Sequence, residues 1–141
     1  MKTSMILAAA AAALLAGCGM MEHGSGGGER VTLSGAKEVP PNTSSAAGGG
    51  TVTVGADCSV TANITVTGMT ATAAHIHTGA AGANGGVAVP FTKTGDNAFS
   101  ASAGAKFNEA QCAAYKKGET YVNVHSAAHP GGEVRAQLKG M

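Results

Sequence analysis

The 141-residue sequence has no tryptophan, three phenylalanines and two tyrosines, and only 12% of its residues are charged. Aromatic side chains bury the most apolar area, so this chain must build its core largely from smaller groups. Its formal net charge of +1 provides no electrostatic footprint for nucleic acid or for an anionic membrane surface. A CxxC pair, a Walker loop and a Ser-His-Asp spacing are also missing from the sequence. These absences argue against dithiol, nucleotide and nucleophilic chemistry.

The first 17 residues have the pattern of a bacterial export signal. Lys2 supplies the positive start, and the apolar run from Met5 to Leu15 is shorter than the about 20 residues that span a bilayer. The run ends in Leu15-Ala16-Gly17-Cys18, which resembles the lipobox of bacterial lipoproteins. That resemblance implies cleavage before Cys18 and lipidation of its thiol, which would anchor the chain in a membrane. The alternative is an ordinary signal peptide with a chance cysteine.

Removal of residues 1–17 leaves enough chain for one domain, with eight basic residues against eight acidic ones. We expect residues 18–29 to form a flexible glycine-rich tether and residues 30–141 to form a single β-domain. Gly19 after the lipidated cysteine favours the outer membrane, facing either the periplasm or the cell surface. The expected partners are the membrane, through the lipid anchor, and an unidentified envelope protein, with no nucleic acid.

The cysteine count is even once Cys18 carries the lipid. Cys58 and Cys112 then remain as a pair in an oxidising compartment, and a disulfide between them is predicted. A bridge over this separation is worth about 4 kcal/mol in the chain-entropy model. Metal binding by these thiols is the alternative, but no CxxC or Cys-His spacing accompanies them.

Alternation of apolar and polar residues predicts an all-β fold. Residues 60–67 alternate most clearly, and further strands are predicted at 31–35, 51–54, 73–77, 87–91, 98–101, 120–125 and 134–138. Asn108 followed by Gln111 forms a capping-box pattern that predicts one short helix near 109–117. The expected architecture is an antiparallel Greek-key sandwich or barrel of about eight strands. Pro90 predicts a sheet edge or strand end, and the glycine runs 48–50 and 79–86 predict loops.

Three histidines form the main candidate site. His75 and His77 point to the same face of one strand, and His125 can join them from a neighbouring strand. Clustered imidazoles in a secreted protein favour copper, with zinc as the second choice. His129 lies in the turn that follows and is a possible fourth ligand, while Asn123 is placed to orient an imidazole.

Two alternatives stay open for these histidines. The imidazoles could fill polar gaps in the sheet without a metal. If Ile76 and Val124 point into the core, the histidines face outward and form a shallow, exposed site.

Four segments together resemble the CHRD domain, a module common in exported bacterial proteins. They are residues 33–41 (LSGAKEVPP), 74–77 (AHIH), 121–125 (YVNVH) and 130–138 (PGGEVRAQL). The resemblance implies a compact β-sandwich or barrel and implies no established enzymatic activity. Ala136 stands where the family more often has glycine. The His-x-His strand also resembles that of copper/zinc superoxide dismutases, but residues 30–141 contain only four histidines, too few for their dinuclear site.

Glu38 and Arg135 form a second constellation, since each belongs to one of these segments and lies beside turn residues. We expect a structural salt bridge between them that joins the first and last strands. A general-base role for Glu38 is the alternative, although no nucleophile surrounds it.

The preferred functional hypothesis is an envelope lipoprotein that binds one copper or zinc ion for metal handling or protection from oxidative stress. A structural or protein-interaction module without catalytic activity is the first alternative. Weak superoxide dismutation by a single copper ion is the second alternative.

Overall fold

The computed structural model describes residues 28–141. The predicted signal peptide, the lipidation of Cys18 and all but the last two residues of the expected tether lie outside this range. Within the described range, no helix combines the length and the apolar character that crossing a membrane requires. The strands and the helix, in chain order, are β1 (Glu29–Ser34), β2 (Ala47–Val54), β3 (Val60–Thr67), β4 (Ala71–Thr78), β5 (Val87–Gly95), β6 (Ala98–Ala101), α1 (Glu109–Lys116), β7 (Thr120–Ser126) and β8 (Val134–Gln137).

The eight strands close into an antiparallel barrel in the order β1-β2-β3-β6-β5-β4-β7-β8. Strands β4, β5 and β6 form a meander, and β7 returns after helix α1 to pair with β4, which is a Greek-key connection. The all-β prediction is therefore confirmed, and of the two expected architectures the chain adopts the barrel. Closure pairs every strand on both sides, so the sheet formed by residues 28–141 has no exposed edge.

The barrel interior is filled by the apolar half of each alternating strand. In β3, Val60, Ala62, Ile64 and Val66 are buried while the threonines and the asparagine between them are exposed. Strand β7 departs from this pattern, because nearly all of its residues are buried, on both faces. Something outside the barrel must cover the outer face of β7, and that cover is part of the candidate site.

Helix α1 and the disulfide lie together, as the sequence predicts. The side chain of Asn108 accepts a hydrogen bond from the backbone N–H of Gln111, whose own side chain accepts one from the backbone N–H of Asn108. This capping box satisfies two backbone donors at the start of the helix. Cys112, on the buried side of α1, is bonded to Cys58, with the two Cα atoms 5.9 Å apart. The predicted disulfide is confirmed.

Two local predictions are wrong. Strand β5 continues through Pro90 and does not end there. At Pro90 the strand stops pairing with β4 and begins to pair with β6, so the missing N–H removes few hydrogen bonds from either ladder. Gly48–Gly50 belongs to β2 rather than to a loop. A Cβ at Gly50 would lie 1.9 Å from the carbonyl oxygen of Asn63 on β3. These glycines therefore allow close approach of neighbouring strands, which composition alone does not distinguish from a turn.

Candidate metal centre

The three predicted histidines lie together on the outer face of the barrel. Strands β4 and β7 are neighbours, and Ile76 and Val124, which alternate with the histidines, are fully buried in the interior. The histidines thus point outward, as expected if these apolar neighbours form the core. The site is nevertheless partly enclosed, because His77 is only 8% exposed.

The three imidazoles are close enough to share one ion. One nitrogen from each ring lies within 4.8 Å of the nitrogens of the other two. His75 Nδ1 and His125 Nε2 are 3.0 Å apart, and the ring centroids of His77 and His125 are 6.0 Å apart. Two nitrogens bound to one tetrahedral zinc at 2.0–2.1 Å would be about 3.3 Å apart. Small side-chain rotations therefore bring this donor set to the spacing that a metal requires.

Backbone carbonyls fix the protonation of two of the rings. His77 Nδ1 lies 3.0 Å from the Gly85 carbonyl oxygen, and His125 Nδ1 lies 2.9 Å from that of Pro130. A carbonyl can only accept, so each Nδ1 carries the proton. Nε2 of His77 then presents a lone pair, while Nε2 of His125 accepts a hydrogen bond from His75 Nδ1 at 3.0 Å. Metal-binding histidines are oriented in this way by a hydrogen bond from the other ring nitrogen. His77 Nε2 is buried and has no hydrogen-bond partner, which leaves it available to an ion.

The surroundings of His75 and His77 also favour the neutral imidazole, which is the form that binds a metal. Burial lowers the pKa of the His75 imidazole, and the neighbouring His125 and His77 rings lower it further. Burial also lowers the pKa of His77, and the charges of His125 and Arg135 lower it further, although its hydrogen bond to the Gly85 carbonyl opposes that shift. Both rings are therefore neutral at neutral pH, and protonation displaces a metal only in more acidic solution.

Tyr121 lies between the imidazole cluster and the buried guanidinium of Arg135. The Tyr121 and His77 rings are stacked, with centroids 4.9 Å apart and planes 4° apart. The Arg135 guanidinium carbon lies 3.5 Å from the Tyr121 ring centroid. Because β7 lies between β4 and β8, these contacts occupy opposite faces of the tyrosine ring. The arginine charge is thus held by a cation–π contact with Tyr121, and it still acts on His77, whose pKa it helps to lower.

Arg135 does not form the predicted direct salt bridge with Glu38. Its guanidinium donates instead to the Asn84 side chain, the Ala80 carbonyl and the Gln137 side chain. Arg135 still acts on Glu38 through its charge, which lowers the pKa of that carboxyl. Burial outweighs this effect and raises the pKa of Glu38 to about 7. The first and last strands do meet, because Ser34 pairs with Arg135, but through the backbone ladder.

Asn123 and His129 have different relations to the cluster. Asn123 is directly opposite His75 in the β4–β7 ladder and is 2% exposed, and its role in orienting an imidazole stays a prediction. Its amide nitrogen donates to the Gly131 carbonyl at 3.4 Å. His129 lies in the turn after β7, where its backbone is hydrogen-bonded to Ser126, and it is not one of the three clustered histidines.

A segment that covers the outer face of β7 was not predicted from the sequence. The glycine- and alanine-rich segment 79–86 folds over Tyr121 and His77. Gly85 accepts from His77 Nδ1 and donates its own N–H to the Tyr121 hydroxyl at 3.1 Å. A Cβ at Gly85 would lie 1.6 Å from the Thr78 carbonyl oxygen, so only glycine fits there. The one available signal was the run of small residues directly after the His-x-His strand.

Comparison with known protein families gives a match over most of the chain. The model of the CHRD domain family covers residues 30–138, which is most of the chain and nearly all of the barrel. No curated protein and no solved structure gives a significant match. The family model spans β4, β7 and β8 together with the segments that cover them. The chain therefore belongs to the CHRD domain family.

Proposed function

We propose that this chain binds one copper or zinc ion through His75, His77 and His125, and that its role is metal handling or protection from oxidative stress. The observation that carries the proposal is the buried His77 Nε2, which has a lone pair, no hydrogen-bond partner, and two further imidazoles beside it. A cluster that served only to fill polar gaps would be expected to satisfy this nitrogen. A metal ion satisfies it directly.

Copper is the preferred ion. Neutral imidazole suits both Cu(II) and Zn(II), and for a given nitrogen site Cu(II) binds more tightly among the first-row divalent ions. The site has no thiolate, since the two described cysteines are joined in the disulfide. The three imidazoles leave one or more coordination positions open, which allows an ion to be exchanged as well as held.

Metal analysis of the full, untagged chain tests this function. We expect one Cu(II) per chain after removal of excess metal, and weaker one-to-one binding of Zn(II), since both ions use the same three rings. Omission of an affinity tag is essential because added histidines would supply competing ligands. Absence of binding at micromolar Cu(II) and Zn(II) would contradict the proposal and favour a structural or protein-interaction module.

The proposal includes a place in the bacterial envelope, with Cys18 lipidated and the barrel held at the outer membrane. Its support is the lipobox pattern at residues 15–18, which precedes the described barrel. We expect Cys18→Ser to move the chain from the membrane fraction to the soluble fraction of cells. An unchanged membrane fraction would show that something other than this thiol anchors the chain.

Gly85→Ala should weaken metal binding without removing a ligand. The added methyl group collides with the Thr78 carbonyl, so the covering segment must shift and the hydrogen bond that orients His77 is lost. Loss of such an outer contact typically costs about 10- to 100-fold in metal affinity. Competition with a coloured chelator measures this change. Gly86→Ala is the matched control, because a Cβ there has no atom within 4 Å and the affinity should stay the same.

A further inference from the structure

A pocket of about 210 Å³ lies beside Arg135 and is separate from the histidine cluster. It is lined by Lys37, Ala81, Gly82, Arg135 and Gln137, and thus by two cations and no acidic residue. Sites for organic ligands typically have volumes of about 300–1,000 Å³. The smaller volume of this pocket suits a compact ion.

Arg135 contributes a buried positive charge to the pocket. It is 1% exposed, and the three acceptors of its guanidinium, on Asn84, Ala80 and Gln137, are all neutral. These bonds use three of the five N–H groups of the guanidinium and leave two for a ligand. Because a buried charge is costly unless it is paired, this guanidinium favours an anion beside it.

Glu38 compensates this charge only in part. Its charge does act on Arg135, without a direct salt bridge. Burial raises the pKa of Glu38 to about 7, so the carboxyl has only about half of a negative charge at neutral pH. Glu38 also lines a different cleft, next to residues 128–132. An anion in the pocket would therefore neutralise charge that Glu38 leaves uncompensated.

Further donors line the same pocket. Lys37 is exposed, and its ammonium uses one of its three N–H groups in a bond to a backbone carbonyl. On the opposite wall, a turn is closed by a hydrogen bond of 3.0 Å from the Ala83 N–H to the Ala80 carbonyl, which does not use the N–H groups of Ala81 and Gly82. Backbone N–H groups in turns contribute to anion sites in other proteins.

We propose that this pocket binds a phosphate group, held by the Arg135 guanidinium, the Lys37 ammonium and the N–H groups of Ala81 and Gly82. Hydrogen bonds from a guanidinium to phosphate oxygens are among the stronger ones in proteins. Two cations also complement a phosphate dianion better than a carboxylate with a single charge. Free phosphate and the phosphate of a small ester share this chemistry. The inference does not use the metal centre, so it is independent of the proposed function.

Titration of inorganic phosphate into the full chain, followed by ¹H–¹⁵N NMR at constant ionic strength, tests this site. We expect saturable shifts of the backbone amides of Ala81 and Gly82 and of the Arg135 Nε–H signal. Glycerol 3-phosphate is the second probe. Equal affinity for it would assign the pocket to phosphate esters, and weaker binding of it would assign the pocket to the free ion. Acetate should bind at least about tenfold more weakly than phosphate, since it lacks the second charge.

Ala81→Glu tests the missing negative charge directly. Ala81 is exposed and lines the pocket with Arg135, so the variant places a carboxylate within the pocket. This internal anion should weaken phosphate binding by at least about tenfold, because it occupies the same donors. It should also raise the midpoint of thermal unfolding in buffer without phosphate.

Ala103→Glu is the matched control, because residues 102–105 form a turn of the same kind. That turn is closed by a hydrogen bond of 3.0 Å from the Ala105 N–H to the Ser102 carbonyl, and Gly104 has a φ of 79° where Gly82 has one of 81°. The same charge added at this turn should change neither the phosphate affinity nor the unfolding midpoint.

Lys37→Gln removes the exposed cation and should lower the phosphate affinity about tenfold. Absence of saturable shifts at Ala81 and Gly82 would reject the site, and so would equal phosphate affinities of Ala81→Glu and the unaltered chain. Acetate binding as tight as that of phosphate would reject the assignment to a phosphate group. Equal losses in Ala81→Glu and Ala103→Glu would show a general effect of net charge and would also reject the site.

Discussion

Replacing His77 with alanine is expected to weaken Cu(II) binding by on the order of 10³-fold, which corresponds to about 4 kcal/mol. The change removes one of the three proposed ligands, the one whose Nε2 is buried without a partner. It also removes the hydrogen bond to Gly85 through which the covering segment is attached to the site. Chelator competition measures the affinity. Thermal unfolding gives a second readout, because a ligand at 100 times its dissociation constant stabilises the native state by about 2.7 kcal/mol.

His129→Ala is the matched control for this experiment. It removes the same type of side chain a few residues from His125, outside the cluster of three. We expect its Cu(II) affinity to stay within about twofold of the unaltered chain. Equal losses in the two variants would mean that Cu(II) binds to surface imidazoles without a defined site, and the metal centre would have to be abandoned.

Short-range patterns predicted the elements of this fold well. The alternation over residues 60–67 matches β3 residue for residue, and the Asn108–Gln111 capping box places the start of α1. Both signals depend on contacts within a few residues of the chain. Closure of the sheet depends instead on pairings such as β3 with β6 and β1 with β8, which join distant segments. A sandwich and a barrel use the same alternating strands, so the sequence left both open.

The candidate site, like the fold, was predicted where it depends on short-range patterns and was not predicted where it depends on distant segments. The period of two in β4 placed His75 and His77 on one face, and their pairing with β7 brought His125 to them. The sequence did not predict that segment 79–86 covers this face, since a run of small residues has no periodicity to interpret. The partners of Arg135 were missed for the same reason. Its guanidinium is satisfied mainly by groups of that segment rather than by Glu38.

These features together explain why the chain, whose formal net charge is only +1, buries several polar side chains outside its apolar core. The outer face of β7 carries Tyr121, Asn123 and His125, and all three are held by hydrogen bonds to segments that cross it. An unsatisfied buried polar group costs about 1–3 kcal/mol. Such groups are therefore expected where a ligand repays the cost, and three of them lie at this site.

Removing the disulfide is expected to have the largest effect on stability. The double variant Cys58→Ser, Cys112→Ser should lose about 4 kcal/mol of unfolding free energy, because the bond closes a loop of 54 residues in the unfolded chain. Domains of this size have about 5–15 kcal/mol in total, so the midpoint of thermal unfolding should fall by about 15 °C. Urea unfolding at 25 °C measures the free energy directly.

Reduction of the unaltered chain is the matched control, since it breaks the same bond without changing a residue. The reduced chain should unfold like the double variant, and the reductant should not affect the double variant. Cu(II) affinity well below the unfolding midpoint should be preserved in the variant, because neither cysteine contacts the histidine cluster and β4 and β7 pair along their whole length. A loss of Cu(II) binding equal to the loss of stability would show that helix α1 positions β7. No loss of stability would mean that the aliphatic core alone holds the barrel closed, despite its few aromatic side chains.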